Sequence, residues 1–147
     1  MNIEETTEQQ LASELRTVIV RLIKKLRVKS KTAGLLSLTE RSTLSLLDQH
    51  QTLLPSELAA MEKITTQSMS QILNHLSELG YIHRKISGTD KRKCMISLTK
   101  SGHQVLSQMR SEREEWLAKA LKDTCTKKEL AVLQHSIVPL TRLVDYD

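Results

Sequence analysis

The chain has 147 residues, a formal net charge of +5 and a sequence pI of about 9.3, a size that fits one domain or one domain with a helical extension. No apolar run is long enough to span a bilayer, and the polar, acidic first ten residues do not resemble a signal peptide. We therefore expect a soluble, cytoplasmic protein. The two cysteines make no disulfide framework and lie near no histidine cluster, which argues against a structural zinc site.

The positive charge is concentrated in two places. Residues 16–31 hold seven basic residues and no acid, and residues 84–93 hold five basic residues and one acid. This basic excess favours a polyanionic partner. Aromatic residues make up only 2% of the chain, so recognition of single strands by base stacking is disfavoured. A duplex contacted through its phosphates and grooves remains open.

The N-terminal third predicts two helices. Apolar residues at spacings of three and four predict a long amphipathic helix over residues 7–29, with a stripe that needs a partner. That stripe consists of Leu11, Leu15, Val18, Leu22 and Leu26. Residues 31–38 are predicted as a loop. Thr39 is predicted to cap a second helix, with Leu44 and Leu47 facing inward and Leu46 as a further candidate.

The middle of the chain predicts a helix-turn-helix. Pro55 is typical of a first helical turn and predicts a third, short helix over "PSELAAME". Either Thr65 or Thr66 opens a fourth helix, which ends at Gly80. Its predicted buried face is Met69, Ile72, Leu73, Leu76 and Leu79. Two short helices with a tight connection, the second polar at its N-terminal end, indicate a helix-turn-helix.

The remaining residues predict a hairpin and two more helices. Residues 81–86 and 94–98 are predicted strands that close a hairpin over residues 87–93. Thr99 caps a long helix over residues 100–121, and Thr126 with Glu129 forms a capping box for the last helix. The inward line of the long helix is Val105, Met109, Trp116 and Ala120. The last helix carries a seam suited to helix packing, made of Leu130, Leu133, Ile137, Leu140 and Val144.

These elements predict a mainly α fold with a small β-hairpin wing: a winged helix-turn-helix with flanking dimerisation helices. We divide the chain into an N-terminal dimerisation helix (residues 1–36), a DNA-binding lobe (residues 37–99) and C-terminal dimerisation helices (residues 100–147). The flanking helices carry more apolar surface than so small a lobe can cover. A second copy of the chain in a symmetric dimer is the simplest cover.

Four segments resemble the MarR family of bacterial transcriptional regulators in order and spacing: "LTERSTLSLL", "PSELA", "TTQSMSQILNHLSELGYIHR" and "GTDKRKCMISLTKSG". The most specific part is D-x-R followed by L-T-x-x-G, here Asp90, Arg92, Leu98, Thr99 and Gly102. The resemblance implies a homodimer on a pseudo-palindromic duplex, with the fourth helix in the major groove and the wing in the adjacent minor groove. It also implies that many members repress transcription until a small ligand or an oxidant releases them.

The wing has a functional and an ordinary interpretation. A narrow minor groove attracts arginine, so we expect Arg92 to insert, with Lys91 and Lys93 near phosphates or making no contact. The ordinary alternative is a charged hairpin tip that prevents edge pairing. Asp90 is either an ordinary turn residue or fixes the wing through turn amides or an arginine. Arg84 is either a contact to the DNA backbone or the partner of Asp90.

The first turns of the fourth helix carry polar residues that alone are typical of any exposed helix face. In a major groove these residue types reach base edges, and the resemblance points to Ser68, Ser70 and Gln71. His75 is either a surface histidine or a phosphate donor. The predicted DNA-binding set on this helix is Thr66, Gln67, Ser68, Ser70, Gln71 and His75. Family members often carry Arg at the positions of Gln71 and His75, so we expect fewer phosphate contacts here and more dependence on the wing.

Other residues carry weaker hypotheses. The basic residues 16–31 are interpreted mainly as a polar helix face near a C-terminus, where cations are favoured, with some role in steering. Cys94 falls in or beside a strand and is predicted to be either a small core residue or a half-buried one. Cys125 precedes the last helix at a position compatible with exposure, where redox sensing needs a lowered pKa and access. The family's peroxide sensors use a cysteine in the first helix, where this chain has none.

No catalytic constellation or Gly-rich phosphate loop is present in the sequence, so we expect neither an enzyme nor a cofactor. The predicted partners are double-stranded DNA, a second copy of the chain and a small-molecule effector of unknown identity, without a membrane. Two alternatives remain: a winged-helix module for protein–protein contact, and a redox- or metal-sensing regulator.

Overall fold

The computed structural model describes residues 7–86, 88 and 93–147. Its α-helices are α1 (Glu8–Arg27), α2 (Leu38–His50), α3 (Pro55–Glu62), α4 (Thr66–Glu78), α5 (Lys100–Thr124) and α6 (Lys127–Val144). Three strands, β1 (Thr52–Leu53), β2 (Ile82–Ile86) and β3 (Cys94–Leu98), form one antiparallel sheet in the order β1-β3-β2. This confirms the predicted mainly α, winged helix-turn-helix fold. Within the described ranges, no helix is both long enough and apolar enough to cross a membrane.

The helix caps agree with the sequence patterns at most ends. Thr65, not Thr66, caps α4, and its hydroxyl oxygen accepts the Ser68 N–H at 3.1 Å. The caps predicted at Thr99 and Thr126 are confirmed. The Thr39 cap is wrong, because Ser37 has the extended backbone of a cap and accepts the Glu40 N–H at 3.1 Å. Helix α2 therefore begins at Leu38.

Strand β1 was not predicted from the sequence. Thr52 pairs with Ser97 and Leu53 pairs with Ile96, which adds a third strand to the predicted hairpin. Gln51 makes this possible with a φ of 66° and a ψ of −57°, since this positive-φ conformation ends α2 and redirects the chain. Two residues are too few to show the alternation that identifies a strand.

The core lies inside the lobe, between α2, α3, α4, the sheet and the first half of α5. Its largest fully buried apolar side chains are Leu44, Leu47, Leu58, Met69, Leu73, Leu76 and Ile96. Ile72 of the predicted α4 face is only partly buried against this core. Leu79, predicted to be buried, is 41% exposed. As the C-cap, Leu79 lies beyond the last helical residue and leaves the buried face.

A close contact joins the end of α4 to the start of α5. A Cβ on Gly102 would lie 2.1 Å from the carbonyl oxygen of Tyr81 and 3.2 Å from the Leu98 side chain, so only glycine fits. The Thr99 hydroxyl donates to the Gly80 carbonyl at 2.6 Å and accepts the Gly102 N–H at 3.0 Å. The Thr99 N–H donates to the Tyr81 carbonyl at 3.0 Å. The L-T-x-x-G pattern thus encodes the N-terminal cap of α5 and the close contact of α5 with the chain after α4.

Helices α1 and α6 stand apart from this core. Neither buries a single residue within the described part of one chain. The large apolar side chains that they leave exposed are Leu11, Val18, Ile19, Val20, Leu22, Ile23, Val132, Leu133, Ile137, Val138, Leu143 and Val144. The apolar stripes predicted for the first and last helices are therefore present but uncovered in one copy.

Candidate nucleic-acid interface

Helix α4 presents a polar face opposite its buried one. Its exposed residues Thr66, Gln67, Ser68, Ser70 and Gln71 lie in the N-terminal half of the helix. The hydroxyl of Thr65 donates to the Ser68 hydroxyl oxygen at 2.9 Å, which orients that side chain. The sequence contains no acidic residue between Glu62 and Glu78. This face therefore combines hydrogen-bonding side chains with the positive end of a helix dipole.

His75 is tied to the preceding helix. Its Nδ1 lies 3.1 Å from Glu40 Oε1, and the Glu40 side chain is only 13% exposed against 46% for His75. The other Glu40 carboxylate oxygen is buried and has no hydrogen-bond partner among the residues that the structure describes. The contact links α4 to α2, and it leaves Nε2 as the ring nitrogen not engaged with Glu40.

Arg84 connects the wing to α4. It lies exposed on β2 and donates from Nη2 to the Asn74 Oδ1 at 2.7 Å. Sequence reasoning missed Asn74, because nothing in the α4 pattern distinguishes it from any other exposed polar residue. It also missed Lys85, an exposed cation next to Arg84 on the same strand.

The hairpin carries its exposed residues outward from the lobe. Only Ile82 of β2 is buried, and the outermost described pair joins Ile86 to Cys94. Lys93 is exposed directly before β3. Asp90, Lys91 and Arg92 lie outside the described residues, so their predicted roles stay predictions.

A cavity of about 350 Å³ lies where α1 meets the lobe. Its lining includes three cationic side chains, Lys24, Arg27 and Arg41. The apolar Val28 and Leu38 lie beside them. Nearby, burial and then the charges of Arg41 and Arg27 lower the pKa of Arg113. An environment in which cations repel one another can bind a small anion.

The cysteines and histidines form no second site. Cys94 is half-buried against the core, as predicted, and Cys125 is half-buried beside Thr124 rather than exposed. Across residues 7–86, 88 and 93–147, no group of three His, Cys, Asp or Glu side chains is arranged to hold a metal ion.

Comparison with known proteins gives a consistent set of relatives. The sequence model of the MarR family matches residues 36–93. An HTH-type transcriptional regulator of Mycobacterium tuberculosis is 29% identical over 139 residues, covering 95% of this chain and 96% of that protein. An uncharacterized HTH-type transcriptional regulator of Mycobacterium leprae is 27% identical over the same coverage.

Solved structures agree with these relatives in fold. A crystal structure of a candidate transcriptional regulator from Pseudomonas aeruginosa is 29% identical, with a TM-score of 0.79, and the match covers 96% of this chain and 100% of that one. A mutant of Staphylococcus aureus MepR, bound to an oligodeoxyribonucleotide, has a TM-score of 0.69 at 20% identity. That match covers 91% of this chain and 97% of the MepR chain.

Proposed function

Because this chain belongs to the MarR family of helix-turn-helix transcriptional regulators, we propose that it binds a pseudo-palindromic operator as a homodimer and represses transcription. The observation that carries this proposal is the polar surface of the N-terminal half of α4, which carries no acidic residue, beside an exposed wing strand. The mechanism is stoichiometric binding in the cytoplasm, where promoter DNA is accessible, and it requires no catalytic step.

In the proposed complex, α4 enters the major groove. Gln67 and Gln71 have the amide groups that pair with adenine edges, and serine and threonine hydroxyls act as donors or acceptors toward several bases. His75, held by Glu40, directs its free ring nitrogen toward a phosphate. The Thr65–Ser68 hydrogen bond supports this arrangement, because an oriented side chain loses less freedom on binding.

The wing supplies most of the proposed electrostatic affinity. Arg92 inserts into the narrow minor groove, where negative potential is strongest, and Lys91 and Lys93 lie near phosphates. Asp90 orders the turn. The hydrogen bond from Arg84 to Asn74 supports a role for Arg84 in joining the wing to α4 rather than in contacting the DNA backbone.

The uncovered helices support the proposed dimer. Residues 1–36 and 100–147 form the dimerisation region around the lobe of residues 37–99 in this proposal. Twelve large apolar side chains along α1 and α6 are exposed, and large exposed apolar surfaces mark sites of protein–protein contact. Two-fold pairing places the two lobes about 34 Å apart, on successive turns of one DNA face.

The cavity beside Arg27 and Arg41 supports a small anionic effector. Its three cations and its apolar walls suit an organic acid better than a neutral polar molecule. The cavity lies between α1 and the lobe, so an occupant there contacts the boundary between the two proposed regions. It changes DNA binding only if it binds one arrangement of the lobes more tightly than the other.

The test is a binding isotherm on fluorescent duplex DNA from the promoter next to this protein's own gene. We expect tight, sequence-selective binding. The logarithm of the association constant should fall with the logarithm of the salt concentration, with a slope of about −0.9 per neutralised phosphate. Arg92→Ala should weaken binding by about tenfold or more. Lys122→Ala, about 30 Å along α5 from the wing, is the matched control and should bind as the wild type does.

Absent or salt-insensitive binding to every duplex, by a protein that is folded and dimeric, would reject the operator proposal. That outcome favours the alternative of a winged-helix module for protein–protein contact. Equal losses in Arg92→Ala and Lys122→Ala would instead reject a specific role for the wing.

A further inference from the structure

Residues 28–37, here called the junction, connect α1 to α2 and are held at both ends. From α2, Arg41 donates from Nε to the Leu36 carbonyl at 3.1 Å and from Nη1 to the Arg27 carbonyl at 3.3 Å. On the α5 side, the ammonium groups of Lys25 and Lys29 lie 5.6 and 5.1 Å from the ring centroid of Trp116. The path of the chain out of α1 is thus fixed by two other helices.

Glu112, near the middle of α5, accepts three hydrogen bonds from the junction. Its Oε1 accepts the Thr32 hydroxyl at 2.8 Å, and its Oε2 accepts the Ser30 hydroxyl and, at 3.4 Å, the Thr32 N–H. The Ser30 oxygen in turn accepts the Ala33 N–H at 3.0 Å. Ser30 and Ala33 are both buried, so one carboxylate organises the whole turn.

The chemistry of this contact requires a carboxylate. Both of its oxygens accept, and the bonds come from hydroxyl and amide donors, so a side-chain amide would turn one acceptor into a donor. Glu112 also lies beside Arg113, where its negative charge offsets part of the repulsion from Arg41 and Arg27. A charged acceptor makes stronger hydrogen bonds than a neutral one.

We propose that Glu112 is a positioning residue that fixes α1 against the lobe and thereby determines which half-site spacing the dimer accepts. This inference rests on the proposed function. Helix α1 belongs to the proposed dimerisation region, and α2 belongs to the lobe that carries α4. Fixing the junction between α1 and α2 makes each α1 helix and its lobe one rigid unit. A rigid dimer tolerates only the spacing for which it is built, whereas a loosened dimer adapts to others at some cost in affinity.

The experiment compares duplexes with the native spacing and with two added base pairs, which rotate one half-site by about 70°. For the wild type we expect the insertion to lower affinity on the order of 100-fold, as when base contacts of one half-site are lost. For Glu112→Gln we expect weaker binding to the native duplex and an insertion penalty reduced at least about fivefold. Glu114→Gln, an exposed carboxylate on the same helix, is the matched control and should keep the wild-type penalty.

A second variant and a DNA-free measurement keep the outcome decisive. Thr32→Val removes one hydroxyl donor and should reduce the penalty in the same direction, even if Glu112→Gln fails to fold. Spin labels at Gln49→Cys in both lobes, with Cys94 and Cys125 replaced by serine, should give a broader inter-lobe distance distribution when Glu112→Gln is added.

An unchanged insertion penalty in both folded variants, with an unchanged distance distribution, would overturn the role of Glu112 while leaving the operator proposal intact. If the wild type binds no duplex, the proposed function fails instead. The spin-label distances then still show whether Glu112 fixes α1 against the lobe.

Discussion

Gly102 shows how much of this fold depends on one missing side chain. The Tyr81 carbonyl oxygen occupies the place where a Cβ would be, at 2.1 Å, and backbone cannot move aside as a flexible side chain can. We predict that Gly102→Ala lowers the free energy of unfolding by about 3 kcal/mol or more. Gly34→Ala is the control, because nothing lies within 4 Å of its Cβ position. Urea denaturation of both variants measures the difference, and equal stabilities would contradict the steric explanation.

Glu112 gives the protein an acid-sensitive contact. Hydrogen bonds from Ser30 and then Thr32 lower its pKa below the ordinary value of 4.5. A carboxyl group with a lowered pKa stabilises the folded state above its unfolded pKa, and that stability is lost as the pH falls through the folded value. We predict that wild type is more stable than Glu112→Gln at pH 7, and that the gap closes below about pH 4.5.

Unfolding measured from pH 7 to pH 3 tests this. A stability gap between wild type and Glu112→Gln that stays constant over the whole range would contradict the assignment of the shift to the Ser30 and Thr32 hydrogen bonds.

Single residues also show what the sequence leaves undetermined. The polar types on α4 and the charges of the wing are visible in the sequence, and they identified the candidate interface. The contacts of His75 with Glu40 and of Arg84 with Asn74 were not predicted, because such pairs join different elements and leave no periodic pattern. Arg84 was predicted either to contact the DNA backbone or to pair with Asp90; Asp90 lies outside the described residues, so both alternatives remain predictions.

At the scale of elements, the wing and α4 are connected rather than independent. Asn74 Oδ1 accepts a hydrogen bond from Arg84 Nη2 at 2.7 Å, so removing either side chain breaks the same contact. We predict that Asn74→Ala and Arg84→Ala each weaken operator binding, and that the double variant is no worse than the more severe single one. DNA titrations of the wild type, the two single variants and the double variant give the affinities of this double-mutant cycle. Strictly additive losses would mean that the two residues act separately on DNA.

Helices were predicted more reliably than the other elements, for physical reasons. A helix of 13 residues or more repeats its apolar spacing several times and carries cap residues such as Thr99 and Thr126 at its start. Strand β1, with two residues, has no repeat to detect. The cap at Ser37 was assigned two residues too late, because serine and threonine are equivalent as caps and both occur there.

At the scale of the whole molecule, the exposed apolar faces predict assembly. A charge placed on one of them should be costly in a dimer interface and harmless in a monomer. We predict that Ile137→Asp, at a position 58% exposed in one chain, shifts the protein from dimer to monomer. Ile86→Asp, at an even more exposed apolar position on β2 of the lobe (63%), should leave the dimer intact. Sedimentation velocity distinguishes the species. A fully dimeric Ile137→Asp protein would place the interface elsewhere.

The division of α4 into two faces has an evolutionary consequence. Met69, Leu73 and Leu76 hold the helix in the core, while its exposed positions contribute nothing to that packing. Apart from His75 and Asn74, which contact Glu40 and Arg84, a duplicated copy of the gene can therefore change its exposed α4 residues one at a time with little loss of stability, since surface substitutions usually alter it by less than about 0.5 kcal/mol. If α4 reads DNA as proposed, new operator preferences can arise in this way on an unchanged scaffold.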